Sequence, residues 1–223
     1  MTSRSKQDSL AWLRAGVLVP VIRADSADVA ERVTEALVSG GVRTIEITMT
    51  VPDALAAIQS VASRFGTDVL LGAGTVTDRT MALGALQAGA QFLVTPCVVA
   101  EVIAVAREYD VPVLPGAMTP TEIFSAWSQG ADIVKVFPAS HVGGASYIKA
   151  LKAPFPQIEL CPTGGVNLDT IAAFLDAGAS AVGVGGELVL KNAIASGAYE
   201  RITALARQYV QAIAGARGRV SSA

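Results

Sequence analysis

The chain has 223 residues, 52% hydrophobic and 16% charged, enough to bury a full core as one α/β barrel or as two smaller domains. A net charge of −2 gives no strong field toward nucleic acid or an anionic membrane, and no run approaches the roughly 18 consecutive apolar residues of a membrane span. One histidine and two separated cysteines, Cys97 and Cys161, argue against both an N/S-type metal site and a disulfide framework.

From the N-terminus, "MTSRSKQDSLAW" lacks the apolar h-region of a signal peptide, and with the sparse cysteines this predicts a reduced, cytoplasmic setting. Strand-like runs then follow in order: "VLVPVIR" (17–23), "TIEITM" (44–49), "VLLGAG" (69–74), "FLVTP" (92–96), "VPVLPG" (111–116), "IVKVFP" (133–138), "IELCPTGG" (158–165) and "AVGVGG" (181–186). Between them lie segments with apolar residues at i, i+3 and i+4, such as "ADVAERVTEALVSG" and "LDTIAAFLDAG". Eight strands alternating with eight helical segments predict a parallel sheet with helical crossovers, closed as a single-domain (β/α)8 TIM barrel. An open doubly wound sheet is the weaker alternative. Small-residue glycine motifs precede strands 2, 4, 6 and 8 ("SGG", "AGA", "QGA", "AGA"), each offering a glycine to cap a helix before the chain turns back. No linker or charge block divides the chain, so residues 1–215 read as one domain and 216–223, "ARGRVSSA", as a frayed tail.

In such a barrel, functional groups gather where strands end. Those ends carry Arg23, Glu46 with Thr48 and Thr50, Thr75, Lys135, Thr163 and two glycine pairs. On strand 6, Ile133, Lys135 and Phe137 share one face and the aliphatic Val134 and Val136 the other; on strand 2, Glu46 and Thr48 oppose Ile45, Ile47 and Met49. The aliphatic faces belong against helices, so Glu46 and Lys135 point into the barrel. A structural Lys–Glu pair is one reading of this placement. The functional one is that burial disfavours an ammonium, leaving an amine free to attack a carbonyl and form a Schiff base, with Glu46 as general acid/base. "PTGGV" (162–166) and "GVGGE" (183–187) end strands 7 and 8, where backbone N–H groups beside helix N-termini can hold an anion such as phosphate. His141 reads as an ordinary loop histidine, Glu159 as a satisfied charge at the barrel bottom, Cys161 as core packing, and Lys149 and Lys152 as solvated helix residues.

The series "VPVIR", "GGVRTIEIT", "LGAGTV", "FLVTP", "PVLPGAMTPTE", "VKVFPA", "YIKALKAPFPQIELCPTGGV" and "GVGGELV" resembles the 2-keto-3-deoxy-6-phosphogluconate (KDPG) aldolase family over nearly the whole chain. That resemblance implies a homotrimer of barrels and a class I aldolase with no metal cofactor, its Schiff base on Lys135 and its proton shuttle Glu46. It further implies substrate contacts at Thr75, Pro96 and Thr163 and phosphate loops at Gly164, Gly165, Gly185 and Gly186. A small keto-deoxy sugar acid phosphate is the expected partner, with neither nucleic acid nor membrane. Two positions depart from the family pattern. Thr50 stands where an arginine usually meets the substrate carboxylate, and Gly186 where a serine often helps hold phosphate. Arg23, ending strand 1, is the candidate replacement cation, since a guanidinium suits bidentate carboxylate binding; the related 6-phosphogalactonate aldolases look similar in this respect.

Overall fold

The computed structural model describes residues 4–220. Eight parallel strands close a barrel: β1 (Leu18–Ile22), β2 (Thr44–Thr48), β3 (Leu70–Gly74), β4 (Phe92–Val94), β5 (Val113–Leu114 and Gly116–Ala117), β6 (Val134–Val136), β7 (Leu160–Pro162) and β8 (Val182–Val184). Pro115 divides β5, because proline has no N–H to give the ladder; its carbonyl still accepts from the Lys135 amide at 2.9 Å. The first half of β5 pairs with β4 and the second with β6, so the broken strand joins the two hydrogen-bonded sheets. Closure is completed by β1 pairing with β8 and by the parallel bridge between Thr163 and Gly183.

Helices α2 (Ala27–Ser39), α3 (Ala54–Phe65), α4 (Arg79–Gln87), α5 (Ala100–Glu108), α6 (Pro120–Ser128), α7 (Gly144–Lys152) and α8 (Ile171–Asp176) form the crossovers. Their starts are written locally. Asp78 accepts from the Met81 amide at 2.8 Å, and Thr119 and Glu122 form a reciprocal capping box with Pro120 in the first turn. The stops are equally local: Gly41, Gly89, Gly130 and Gly178 all have φ between 94° and 111°, the left-handed geometry predicted from the four glycine motifs.

Two apolar layers separate as strand alternation requires. Ile45, Ile47, Val134 and Val136 face the helices, whereas Val19, Leu70, Phe92, Val94, Leu114, Ile133, Cys161 and Ala181 fill the barrel. That interior layer includes Leu10 and Leu13 of α1 (Lys6–Gly16), a helix outside the expected eight, which plugs the barrel bottom. Its Trp12 indole donates to the Arg43 carbonyl at 3.1 Å, and full burial of a leucine such as Leu13 contributes about 1.5–3 kcal/mol. A second difference lies after β8, where two helices follow, α9 (Lys191–Ala195) and α10 (Tyr199–Val220). Over the expected tail from residue 216, α10 continues to Val220. Ala216 is fully buried, and the Arg217 guanidinium donates to the Ala15 carbonyl at 2.7 Å and also to that of Arg14. Residues 221–223 of that expected tail lie outside the described residues.

Candidate active site

Strand parity delivers Glu46 and Lys135 to the barrel interior near its C-terminal end, as the alternation of "TIEIT" and "IVKVF" predicts. Glu46 is 2% exposed and Lys135 5%. The row containing Glu46 has Gly72 and Phe92 as successive register partners, and the Lys135 row has Gly116 and Cys161. Glycine in these rows leaves volume for larger neighbours. A Cβ at Gly72 would overlap the Phe92 ring, and one at Gly183 would overlap Thr163 Oγ1 and lie 2.9 Å from its Cγ2. Lys135 Nζ stands 5.1 Å from the centre of the Phe137 ring, within reach of a cation–π attraction.

Among the described residues, Oε1 of Glu46 is buried without a hydrogen-bond partner. Burial therefore pushes this carboxyl above the usual carboxylate range, against the opposing pull of Lys135 and Arg23. A carboxyl raised in this way holds a proton more readily and so suits general acid as well as general base work. Cys161 is also deep in the barrel, and burial raises its thiol to about 12, so it stays neutral beside the amine. This agrees with its reading as packing.

The glycine turns line a cavity of about 190 Å³ together with Arg23, Phe137 and Thr163. Gly164 (φ 88°) and Gly165 (φ 77°) adopt conformations that favour glycine, and a Cβ on Gly165 would overlap the side chain of Ser140. Gly185 and Gly186 face open space on the other side. The helices after β7 and β8 have only six and five residues, and the amides of Asp169 and Thr170 are already taken by Asn167 Oδ1, each at 3.0 Å.

Thr163 is 7% exposed and donates to the Cys161 carbonyl at 3.4 Å, at the cavity wall. Thr75 follows β3 with φ 56°, an uncommon setting for a β-branched residue and one that concentrates at functional sites. Pro96 is half-buried after β4, and its carbonyl occupies the space a Cβ on Gly116 would need. Thr50 is exposed and lies 2.8 Å from Thr48 Oγ1, hydroxyl to hydroxyl. The Thr48 hydroxyl also donates to the Ile22 carbonyl at 3.1 Å. Away from the site, Glu159 is held by a bidentate pair with Arg14 at 2.7–3.1 Å, as a satisfied bottom charge should be. His141 and Lys149 are exposed, but Lys152 is half-buried and donates to the carbonyls of Pro156 and Ile158, which corrects its reading as a solvated residue. Sequence reasoning missed the spacing role of Gly72, Gly74 and Gly183; alternate glycines on one inward strand face, as in "LLGAG", were the available signal.

A family model described as KDPG and KHG aldolase matches residues 10–205. The 2-dehydro-3-deoxy-phosphogluconate aldolase of Dickeya dadantii (strain 3937) is 40% identical over 205 residues, covering 92% of this chain and 94% of the relative. A solved native KDPGal structure is 33% identical with a TM-score of 0.84, covering 90% of this chain and 96% of that one. The KDPG aldolase of Legionella pneumophila, solved with pyruvate captured as a covalent carbinolamine, is 31% identical with a TM-score of 0.82, covering 89% of this chain and 96% of that one. With a buried amine and a buried carboxyl at the expected strand positions, and with identity sustained across the barrel, this chain belongs to the KDPG and KHG aldolase family of carbon–carbon lyases.

Proposed function

We propose that the protein is a class I aldolase that reversibly cleaves 2-keto-3-deoxy-6-phosphogluconate to pyruvate and glyceraldehyde 3-phosphate, and 4-hydroxy-2-oxoglutarate to pyruvate and glyoxylate. The observation that carries this is the buried Lys135 sharing the barrel interior with a Glu46 whose Oε1 has no partner. In this reading Lys135 Nζ attacks the C2 ketone to give a carbinolamine. Glu46 gives a proton to its hydroxyl, which leaves as water, and a protonated imine remains. The Glu46 carboxylate then takes the C4 hydroxyl proton. The C3–C4 bond breaks, its electron pair enters the iminium to form an enamine, and C4 departs as the aldehyde. Glu46 returns the proton to C3, and water adds at C2 to release pyruvate and the free amine. The chemistry calls on no metal.

Arg23, Thr75, Pro96 and Thr163 hold the substrate in this proposal, with the amides of Gly164, Gly165, Gly185 and Gly186 around the phosphate. Holding that end positions the ketone against the amine, an orientation effect worth many orders of magnitude in effective concentration. One observation favours a second reading, the galactonate-type substrate. Arg23, which follows β1, lines the cavity, and the threonine at position 50 carries no positive charge. Pyruvate release, coupled to lactate dehydrogenase and NADH oxidation, from the gluconate- and galactonate-derived substrates tests both. A higher kcat/KM for the gluconate epimer is expected; a preference for the other epimer moves the assignment, and no pyruvate from either overturns it.

A cytoplasmic homotrimer completes the proposal. Among the described residues no helix is long and apolar enough to cross a membrane, and Cys97 and Cys161 are both free. Phe124 and Trp127 of α6 are exposed, their rings 5.8 Å apart, and Phe155 stacks on Phe124, which supplies an apolar face for self-association. Sedimentation at micromolar concentration is expected to give a single species of three chains, and a monomer would refute this.

A further inference from the structure

The structure assigns Gly74 as a positioning residue for Glu46, through space that only the lack of a side chain provides. This rests on the aldolase reading above. Glu46 needs some restraint, because its carboxyl shuttles protons between several substrate atoms and yet Oε1 has no hydrogen bond to hold it. Ordinary buried carboxylates are fixed by donors; this one is fixed by packing. β2 and β3 run side by side in register, with Thr48 opposite Gly74 and Glu46 opposite Gly72. The carboxyl of Glu46 reaches forward along the barrel axis and lies against the Gly74 Cα. A Cβ at Gly74 would overlap Oε1 and come within 2.6 Å of Cδ and 2.8 Å of Cγ. All three are atoms of one side chain, and no backbone atom is among them.

The backbone gives no other reason for glycine at this position. Gly74 ends a regular parallel strand and is absent from the residues of positive φ, and its carbonyl accepts from the Met49 amide at 2.8 Å. Alanine would fit that backbone without strain, and in such a position it normally stabilises by limiting the unfolded chain. The nearest obstacle to a side chain here is Glu46. The glycine also keeps the orphaned oxygen in a dry slot rather than beside a donor. Such a slot maintains the raised proton affinity that burial creates. Displacing the carboxyl by about 1 Å is enough to cost on the order of 100-fold in rate.

Two measurements on the full chain test this. In thermal melts, Gly74→Ala is expected to lower Tm in the otherwise native protein and to leave it unchanged or raise it in a Glu46→Ala background. An equal loss in both backgrounds would overturn the assignment. Should Gly74→Ala alone fail to fold, recovery of soluble, cooperatively melting protein by adding Glu46→Ala supports it, and failure of both overturns it. In turnover, Gly74→Ala is expected to lower kcat about 100-fold with little change in KM, while borohydride still traps pyruvate on Lys135. Adding Glu46→Asp, whose shorter side chain clears the new methyl group, should restore part of that loss, although Glu46→Asp alone impairs the enzyme. An unchanged kcat and pH profile in Gly74→Ala would overturn the assignment. Full activity in Glu46→Ala would instead refute the shuttle role itself, with the melting cycle still deciding whether Gly74 seats the carboxyl.

Discussion

Replacing Glu46 by glutamine should cost activity and gain stability, in a way that depends on pH. The carboxyl is 2% exposed, Oε1 has no partner, and burial outweighs the attraction of Lys135 and Arg23. Its charged form is therefore net destabilising in the folded protein. For a group whose folded pKa lies above its unfolded value, stability is full below the unfolded pKa and is lost as pH rises through the folded one. The native enzyme should thus weaken from about pH 4.5 upward until Glu46 is fully ionised, and remain at the lower level above that. Glutamine mimics the neutral form and removes this slope. Both side chains leave a buried polar group unsatisfied, so Glu46→Gln recovers only the extra cost of the charged form, on the order of 1 kcal/mol or more once Glu46 is ionised. For a chain of this size each kcal/mol moves Tm by about 2–4 °C. Melts at half-unit steps from pH 4.5 to 8.5, monitored by circular dichroism, would read the gap, which should open with rising pH and vanish at the acid end. The same variant should lose about 10²–10⁴-fold in kcat. If the gap is absent, or widens toward acid, then the carboxyl is not held ionised at a cost and the argument from burial is wrong.

Arg23→Ala is expected to raise KM for the sugar acid phosphate while pyruvate still forms its adduct; an unchanged KM rules Arg23 out as the substrate's cation. Gly183→Ala places a methyl group into Thr163 and should destabilise by about 1–3 kcal/mol, read as a fall in Tm with impaired turnover. A Tm within error of native would mean that the β7–β8 junction yields more easily than its packing implies. Arg14→Ala breaks the bidentate pair with Glu159 at the barrel bottom. Because both side chains are partly exposed, it should cost less than about 1 kcal/mol and leave kcat/KM unaltered, and a large loss of activity would contradict the placement of the site at the opposite end.

Strand parity and helix stops were legible because each depends on residues adjacent in sequence. "IVKVF" and "TIEIT" alternate cleanly, and every one of the four predicted capping glycines has the left-handed φ its role demands. The α1 plug was not read, since its burial depends on Leu10 and Leu13 meeting strands that arrive much later in the chain. The same limit hid the inward glycines. Gly74 looks like an ordinary turn residue until β2 is laid beside β3 and the Glu46 carboxyl takes its missing side chain's place. The partners of Arg217 at the barrel bottom were not legible either, since they lie about 200 residues earlier in the chain.

The central claim is that Lys135 is a buried nucleophile that bonds covalently to a 2-oxo acid. Incubation with pyruvate and sodium borohydride, proteolysis and mass spectrometry address it directly. A single reduced pyruvyl adduct should appear on the peptide containing Lys135, and Lys135→Arg should abolish it. Folded native protein without that adduct, or with the adduct on another lysine, would contradict the account.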